Sequence, residues 1–306
     1  MNPALIIDMF SGTGELARAV ADGLNEFTRF QSFSDNYGPA RKYLKVRFRN
    51  VEIYSDFHEQ TVPEGSIVTI GAPCQDLFVA GKHAGAERGS GTRSSLIHEA
   101  LDMAVAGGAD LIIAENVPAS HRTYLDLARW LETHHGYRTT VSSGGAWEVG
   151  APHRRERIML VAARRRFEPR CVEVVRQAVP ADLLPTPSVV DRAWGLTPKQ
   201  WDDVKRRNGN GHGETVSSVL SRGLEAEEIR LIQTWEDVTG IYAPPTGQTC
   251  QFMHWTMGLP YRGLDALGLS VSAQRRLAGN AVVRLQARLM LQRGLTAVND
   301  TRGTLR

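Results

Sequence analysis

The chain has 306 residues, 42% hydrophobic and 23% charged, with a formal net charge of +3. That balance excludes extended disorder, and no apolar run reaches the roughly 20 residues that span a bilayer. Cys74, Cys171 and Cys250 are odd in number, far apart and without C-x-x-C spacing, which argues against a disulfide framework and a zinc site.

The N-terminus, MNPALIIDMF, has no basic stretch ahead of its apolar run and passes straight into a strand-like segment. A secretory signal is therefore not expected, and a cytoplasmic location is. Strand-like runs follow at Leu5 to Met9, Phe30 to Phe33, Ile67 to Ile70, Leu111 to Ala114 and Ile158 to Ala162. They alternate with helical patterns near Glu15 to Leu24, Ser94 to Ala106 and Tyr124 to His134. Such alternation predicts an α/β fold with a doubly wound, mostly parallel, Rossmann-like sheet.

After Arg164 the texture changes. Most of the 14 prolines and the run Asn208-Gly209-Asn210-Gly211-His212-Gly213 fall between Arg164 and Gly263, among short patterns of no clear period. From Ser270 to Leu295 helical periodicity returns, and this tail is expected to pack back on the first domain. The expected division is residues 1–163 with 268–306 as one domain, and 164–267 as a smaller, irregular one. Arginines crowd one stretch, from Arg154 to Arg170, which fits either a solvated face or a phosphate track.

Glycines in Asp8-Met9-Phe10-Ser11-Gly12-Thr13-Gly14-Glu15 stand where the first strand turns into the first helix. At that place backbone N–H groups and a helix N-terminus can approach a nucleotide-type ligand. Asp35, followed by Asn36, ends the second strand-like run, where doubly wound folds keep a carboxylate for ribose hydroxyls. Asp56, followed by Phe57, ends a third short run and could accept from an exocyclic amine. Each acid alone also fits a solvated loop; in order, at successive strand ends, they form a nucleoside-shaped set. Ala17 stands where a dinucleotide fingerprint would place a third glycine, so one nucleoside fits better than two.

Gly71-Ala72-Pro73-Cys74-Gln75 puts a cysteine at the mouth of a strand, where α/β folds expose reactive groups; a free thiol in a turn is the plainer alternative. In chain order come Thr92-Arg93-Ser94-Ser95-Leu96, then Glu115-Asn116-Val117, then Gly150-Ala151-Pro152-His153-Arg154-Arg155-Glu156-Arg157, and finally Gly279-Asn280-Ala281-Val282-Val283. This ordered set, covering nearly the whole chain, resembles the cytosine-5 DNA methyltransferases of bacteria and their viruses.

The resemblance implies S-adenosyl-L-methionine as cofactor, double-stranded DNA as partner, and a flipped-out cytosine as substrate. It implies that Cys74 is the nucleophile toward ring carbon 6, with Pro73 and Gln75 beside it. Glu115, next to Asn116, would serve ring nitrogen 3, Arg157 would donate to the exocyclic oxygen, and Arg155 would brace Glu115. On the cofactor side Phe10 would stack on adenine, Asp35 would take the ribose hydroxyls and Asp56 the adenine amine. Asp8, Ser11, Gly12, Gly14, Asn36, Phe57, Pro73 and Leu96 would complete that site, closed by Asn280, Ala281 and Val282. Arg93 would meet DNA.

In this family the segment between the arginine motif and the closing motif reads the target. Here Lys205, Arg206 and Arg207 suit phosphates, while Asn208, Asn210 and His212 suit either base edges or a flexible glycine loop. Trp194, Trp201, Trp235 and Trp255 suit a small core better than stacking platforms. No metal is expected, a monomer is, and a cognate restriction endonuclease is compatible with the family. Alternatives are a methyltransferase acting on transfer RNA and a silent DNA-binding relative. Three departures from the family pattern stand out: Glu15 for a glycine, His153 for a glutamine, and Asp76-Leu77-Phe78 for a Ser-Phe-Ser run.

Overall fold

The computed structural model describes residues 3–24, 27–73, 95–168, 170–177, 183–187, 216–245, 247–261 and 265–300. The chain divides into two compact units: Met1–Gly144, Glu156–Val175 and Arg284–Arg306 form the first, Gly145–Arg155 and Arg176–Val283 the second. Compared with the sequence expectation, the segment Gly145–Arg155 and the residues from 268 to Val283 go with the smaller unit, and residues 164 to Val175 with the larger.

In the first unit the chain runs β1 (Ala4–Met9), α1 (Glu15–Gly23), β2 (Thr28–Ser34), α2 (Gly38–Arg47), β3 (Glu52–Tyr54), β4 (Ile67–Ile70), α3 (Leu96–Ala106), β5 (Leu111–Asn116), α4 (His121–His135), β6 (Tyr137–Gly145) and β7 (Glu156–Arg164). Seven strands form one sheet in the order β3-β2-β1-β4-β5-β7-β6. β1 pairs in parallel with β2 and β4, β2 with β3, and β4 with β5, whereas β7 runs antiparallel to β5. Every residue of β4 and β5 is buried, as helices on both faces of a parallel sheet require. Strand order reverses around β1 and β4, and in open α/β sheets the crevice outside the carboxyl ends at such a reversal holds the ligand.

α2 and β6 were not expected from the sequence, and both carry weak patterns. In α2 only Ala40, Tyr43 and Leu44 are buried, among five Lys, Arg and Pro residues. β6 is Thr- and Ser-rich, ends in two glycines and is buried only at its ends.

The second unit contains α5 (Val216–Arg222), α6 (Ala226–Thr239), α7 (Thr249–Thr256) and α8 (Val271–Asn280). Trp235 and Trp255 are its core, each 1% exposed. Their indole N–H groups donate to the carbonyls of Trp255 and Ile241 at 2.9 and 2.8 Å, so neither large ring leaves a buried donor unpaired. Trp194 and Trp201 lie outside the described residues.

α9 (Arg284–Asp300) belongs to the first unit, so the periodic tail is shared between the two units instead of packing as one piece. Gln286 donates to the Gly144 carbonyl at 2.8 Å and Ser142 to that of Met290 at 3.0 Å. A Cβ at Gly294 would lie 2.4 Å from Val161 Cγ2, so only glycine lets α9 approach β7 this closely. Among the described residues no helix is long and apolar enough to cross a membrane.

Candidate active site

Backbone bonds bring the first turn to the end of β2. Ser11 N–H donates to the Ser34 carbonyl at 2.8 Å, and the Ser11 hydroxyl accepts from Ser34 N–H at 3.1 Å and donates to the Asp8 carbonyl at 3.0 Å. The turn passes through left-handed backbone at Phe10 (φ 56°), Gly12 (55°) and Gly14 (75°). A Cβ at Gly14 would lie 2.7 Å from the Phe48 ring, which explains that glycine by packing; a Cβ at Gly12 would meet nothing within 4 Å. Gly12 therefore borders open space, as a ligand-facing turn requires.

Asp35 directly follows β2. Its Oδ2 accepts from Gly12 N–H and its Oδ1 from Tyr37 N–H, both at 2.8 Å, so the carboxylate is held against the turn; Asn36 is exposed beside it. Asp56 caps the short turn Phe57–Glu59, its Oδ1 accepting from His58 N–H at 3.0 Å. Those bonds hold its pKa below the usual carboxylate value. Phe57 is buried, and its ring centroid lies 4.7 Å from that of Phe10, which makes an aromatic wall beside the turn.

Asp8, beneath the turn, is 1% exposed, and burial pushes its pKa up to about 7 against the lowering effect of hydrogen bonds from Thr69 and Ser11. Gln60, which the sequence did not single out, ties this floor together. Its amide donates to the Asp8 carbonyl at 3.2 Å and Ser32 Oγ at 2.8 Å, and its Oε1 accepts from Ser34 Oγ at 2.6 Å. The partners lie 26 to 52 residues away in sequence, so no local pattern marks them.

The second cluster forms at the carboxyl ends of β4 and β5. Gly71 N–H donates to the Met9 carbonyl at 3.0 Å, which sets the direction in which Ala72 and partly buried Pro73 leave the sheet. Cys74, Gln75 and Arg93 lie outside the described residues; Leu96 opens α3, half-buried against the core. Asn116 donates to the Ala72 carbonyl at 3.4 Å and accepts from Val117 N–H at 2.8 Å. Tyr124, whose role was also not foreseen, donates to the Glu115 carbonyl at 3.1 Å from α4.

Glu115 and Arg157 form an ion pair, Nε to Oε1 at 2.9 Å, with side chains 10% and 15% exposed. β7 is antiparallel to β5, with Asn116 opposite Ile158, so the start of one strand delivers its guanidinium to the end of the other. Arg157 is thus in direct contact with Glu115. The Arg155 guanidinium, within the second unit, donates to the carbonyls of Gly279 and Ala281 at 3.0 and 2.5 Å, from backbone at φ 24°. Asn280, Ala281 and Val282 lie in that unit too, Asn280 exposed and the other two buried.

The arginine stretch does not form one surface. Arg164 and Arg166 follow the far end of β7, where Ala163 sits opposite Leu111. Arg164 donates to the Ala109 carbonyl at 3.1 Å, and Arg166 pairs with Glu64 and Asp110 at 3.0 and 3.1 Å. That end is opposite the carboxyl ends of the parallel strands. Lys205, Arg206, Arg207, Asn208, Asn210 and His212 lie outside the described residues, as does Asp76-Leu77-Phe78.

Two of the departures have structural roles. Glu15, 2% exposed at the start of α1, has Arg18, Arg47 and Arg284 within 3.2, 3.7 and 3.9 Å, joining α1 to α2 and α9. A carboxylate there also suits the helix N-terminus. His153 is fully buried, with Nε2 3.0 Å from the Thr256 carbonyl, and so anchors its loop to the core of the second unit.

The fold and site are those of a Rossmann-like group-transfer enzyme. Residues 5–239 match the family described as C-5 cytosine-specific DNA methylase, and the chain belongs to that family. It is 29% identical over 301 residues to the Type II methyltransferase M2.BsuMI of Bacillus subtilis (strain 168), covering 90% of this chain and 72% of the relative. Over 168 residues it is 25% identical to the Type II methyltransferase M.CviJI of Paramecium bursaria Chlorella virus IL3A, covering 53% of this chain and 44% of that one. Among solved structures, a putative DNA modification methyltransferase encoded within an Escherichia coli prophage superposes with a TM-score of 0.56 at 15% identity, over 97% of this chain and 99% of that one. The protein is a DNA cytosine-5 methyltransferase, acting on DNA with a methyl donor.

Proposed function

We propose that the donor is S-adenosyl-L-methionine, held at the carboxyl ends of β1, β2 and β3, and that Cys74 is the nucleophile toward a flipped-out cytosine in duplex DNA. The residues fit such a donor. Gly12 borders open space, Phe10 and Phe57 offer an apolar aromatic wall, and the Asp35 and Asp56 carboxylates can accept from ribose hydroxyls and the adenine amine. When bound, the donor supplies an activated methyl group.

An aromatic carbon 5 is a poor nucleophile, so the ring must first be made electron-rich. The Cys74 thiolate adds to carbon 6, and the displaced electron pair moves through the ring toward nitrogen 3. Glu115 hydrogen-bonds or protonates nitrogen 3 and accepts from the amino group, while Arg157 stabilises the negative charge reaching the exocyclic oxygen. After methylation, loss of the carbon 5 proton returns its electron pair to the ring and expels the thiolate. The observation that carries this reading is the Glu115–Arg157 pair at the end of β5, tied by Asn116 to the backbone that leads into Cys74.

The second unit is read as the target-recognition domain, with Lys205 to Arg207 on phosphates. In the same reading the enzyme is a cytoplasmic monomer. The type II names of the two relatives support a cognate restriction endonuclease.

The test is covalent trapping. With fluorine at carbon 5 no proton can leave, so a substituted duplex with donor should give a denaturation-resistant adduct, which Cys74→Ser abolishes while DNA binding persists. An adduct that survives the serine change would show another nucleophile.

A further inference from the structure

His58 is not used by the chemistry above. Its ring lies between two carboxylates: Nδ1 is 2.7 Å from Asp56 Oδ1 and Nε2 is 3.1 Å from Glu99 Oε2 on α3. The same ring lies against Phe57, centroids 3.9 Å apart and planes tilted by 33°, and Phe57 in turn packs on Phe10. Both bonds to Asp56 fall on Oδ1, so Oδ2 has no partner among the described residues.

We propose that His58 is a positioning residue of the cofactor site: by clasping Asp56 to Glu99 and backing Phe57, it orients the Asp56 carboxylate and the aromatic wall for the adenine ring. The inference rests on reading Asp56 as acceptor for the adenine amine.

Only the imidazolium can donate from both ring nitrogens at once, so the clasp is complete in the protonated state. The charged groups acting on His58 are Asp56 on its own turn and Glu99 on α3. Partial burial pushes its pKa down, but the two carboxylates outweigh burial and leave it raised. With a raised pKa the clasp is present at low pH and lost as pH rises through that value. The Asp56 carboxylate stays ionised throughout, its own pKa being lowered, so the two groups titrate in separate ranges.

The experiment is calorimetric titration of S-adenosylhomocysteine into wild type, His58→Gln, Glu99→Gln and Asp56→Asn at pH values from 6 to 8.5, with kcat and KM for the donor measured beside it. For wild type, affinity should fall roughly two- to fivefold across the range, the scale of a half-exposed ion pair. His58→Gln should bind at the weaker level with a flat pH profile, raising donor KM at unchanged kcat. Glu99→Gln should shift the midpoint of the profile downward. A His58→Gln variant that keeps the wild-type profile, while Asp56→Asn weakens binding, overturns the proposal and leaves the adenine reading standing. Unchanged binding by Asp56→Asn overturns both. Equal changes in KM and kcat would mark a general structural defect and overturn the positioning role.

Discussion

Replacing Glu115 by glutamine separates a catalytic from a structural role. The pair with Arg157 is short, at 2.9 Å, and little exposed, so deleting the carboxylate would take away the partner of a largely buried guanidinium. Glutamine avoids that by keeping a polar oxygen of the same shape beside the Arg157 guanidinium. The stability cost is then one ion pair reduced to a charge–dipole contact, about 1 kcal/mol. For a chain of this size that corresponds to a melting shift of about 2–4 °C. The amide cannot deliver a proton to cytosine nitrogen 3 or build charge against it, so methyl transfer should fall about a hundredfold or more, near 2.7 kcal/mol of transition-state stabilisation. Duplex affinity should hardly change, since phosphate contacts carry most of it. Single-turnover methyl transfer on a substrate duplex, beside a thermal melt, reads both quantities. Transfer within about threefold of wild type, with a lowered melting point, would refute the catalytic role and leave Glu115 as a partner of Arg157 alone.

Asp8→Asn should alter the pH dependence of stability. The folded-state pKa of Asp8 is raised to about 7 by burial, so the native state holds a proton that the unfolded state has released, and stability falls as pH climbs from about 4 to 7. Asparagine removes that slope, and parallel melting curves of variant and wild type over pH 4–8 would contradict it. Gly12→Ala meets no atom within 4 Å but must hold φ 55°, so it should cost about 1 kcal/mol of stability and weaken donor binding, both readable by melting with and without donor. Arg166→Ala, at the end of the sheet away from the site and already paired with Glu64 and Asp110, should leave DNA affinity and its salt dependence unchanged; a slope flatter by about one unit would place a phosphate there.

Much of the first unit is legible in the sequence because buried parallel strands are dense apolar runs. Ile67 to Ile70 was read to the residue, and the other strand and helix patterns singled out fell within or close to the observed elements. The motifs were legible for a related reason: a glycine at φ 55°, acids at successive strand ends and a Glu-Asn pair at the end of β5 sit at positions that chain order alone assigns to one edge of the sheet. α2 and β6 were not legible, since one buries only three side chains and the other buries its ends, and neither leaves a period.

What only the tertiary structure decided is which side chains meet. In the sequence Arg155 and Arg157 stand only two residues apart. Antiparallel pairing of β7 with β5 brings Arg157 to Glu115, and Arg155 holds the carbonyls of Gly279 and Ala281. The same register carries Arg164 and Arg166 to the opposite end of the sheet, dividing what reads in one dimension as a single basic track. Charge and spacing along a chain count residues; contact depends on strand direction, and direction is set by pairing with segments some fifty residues away.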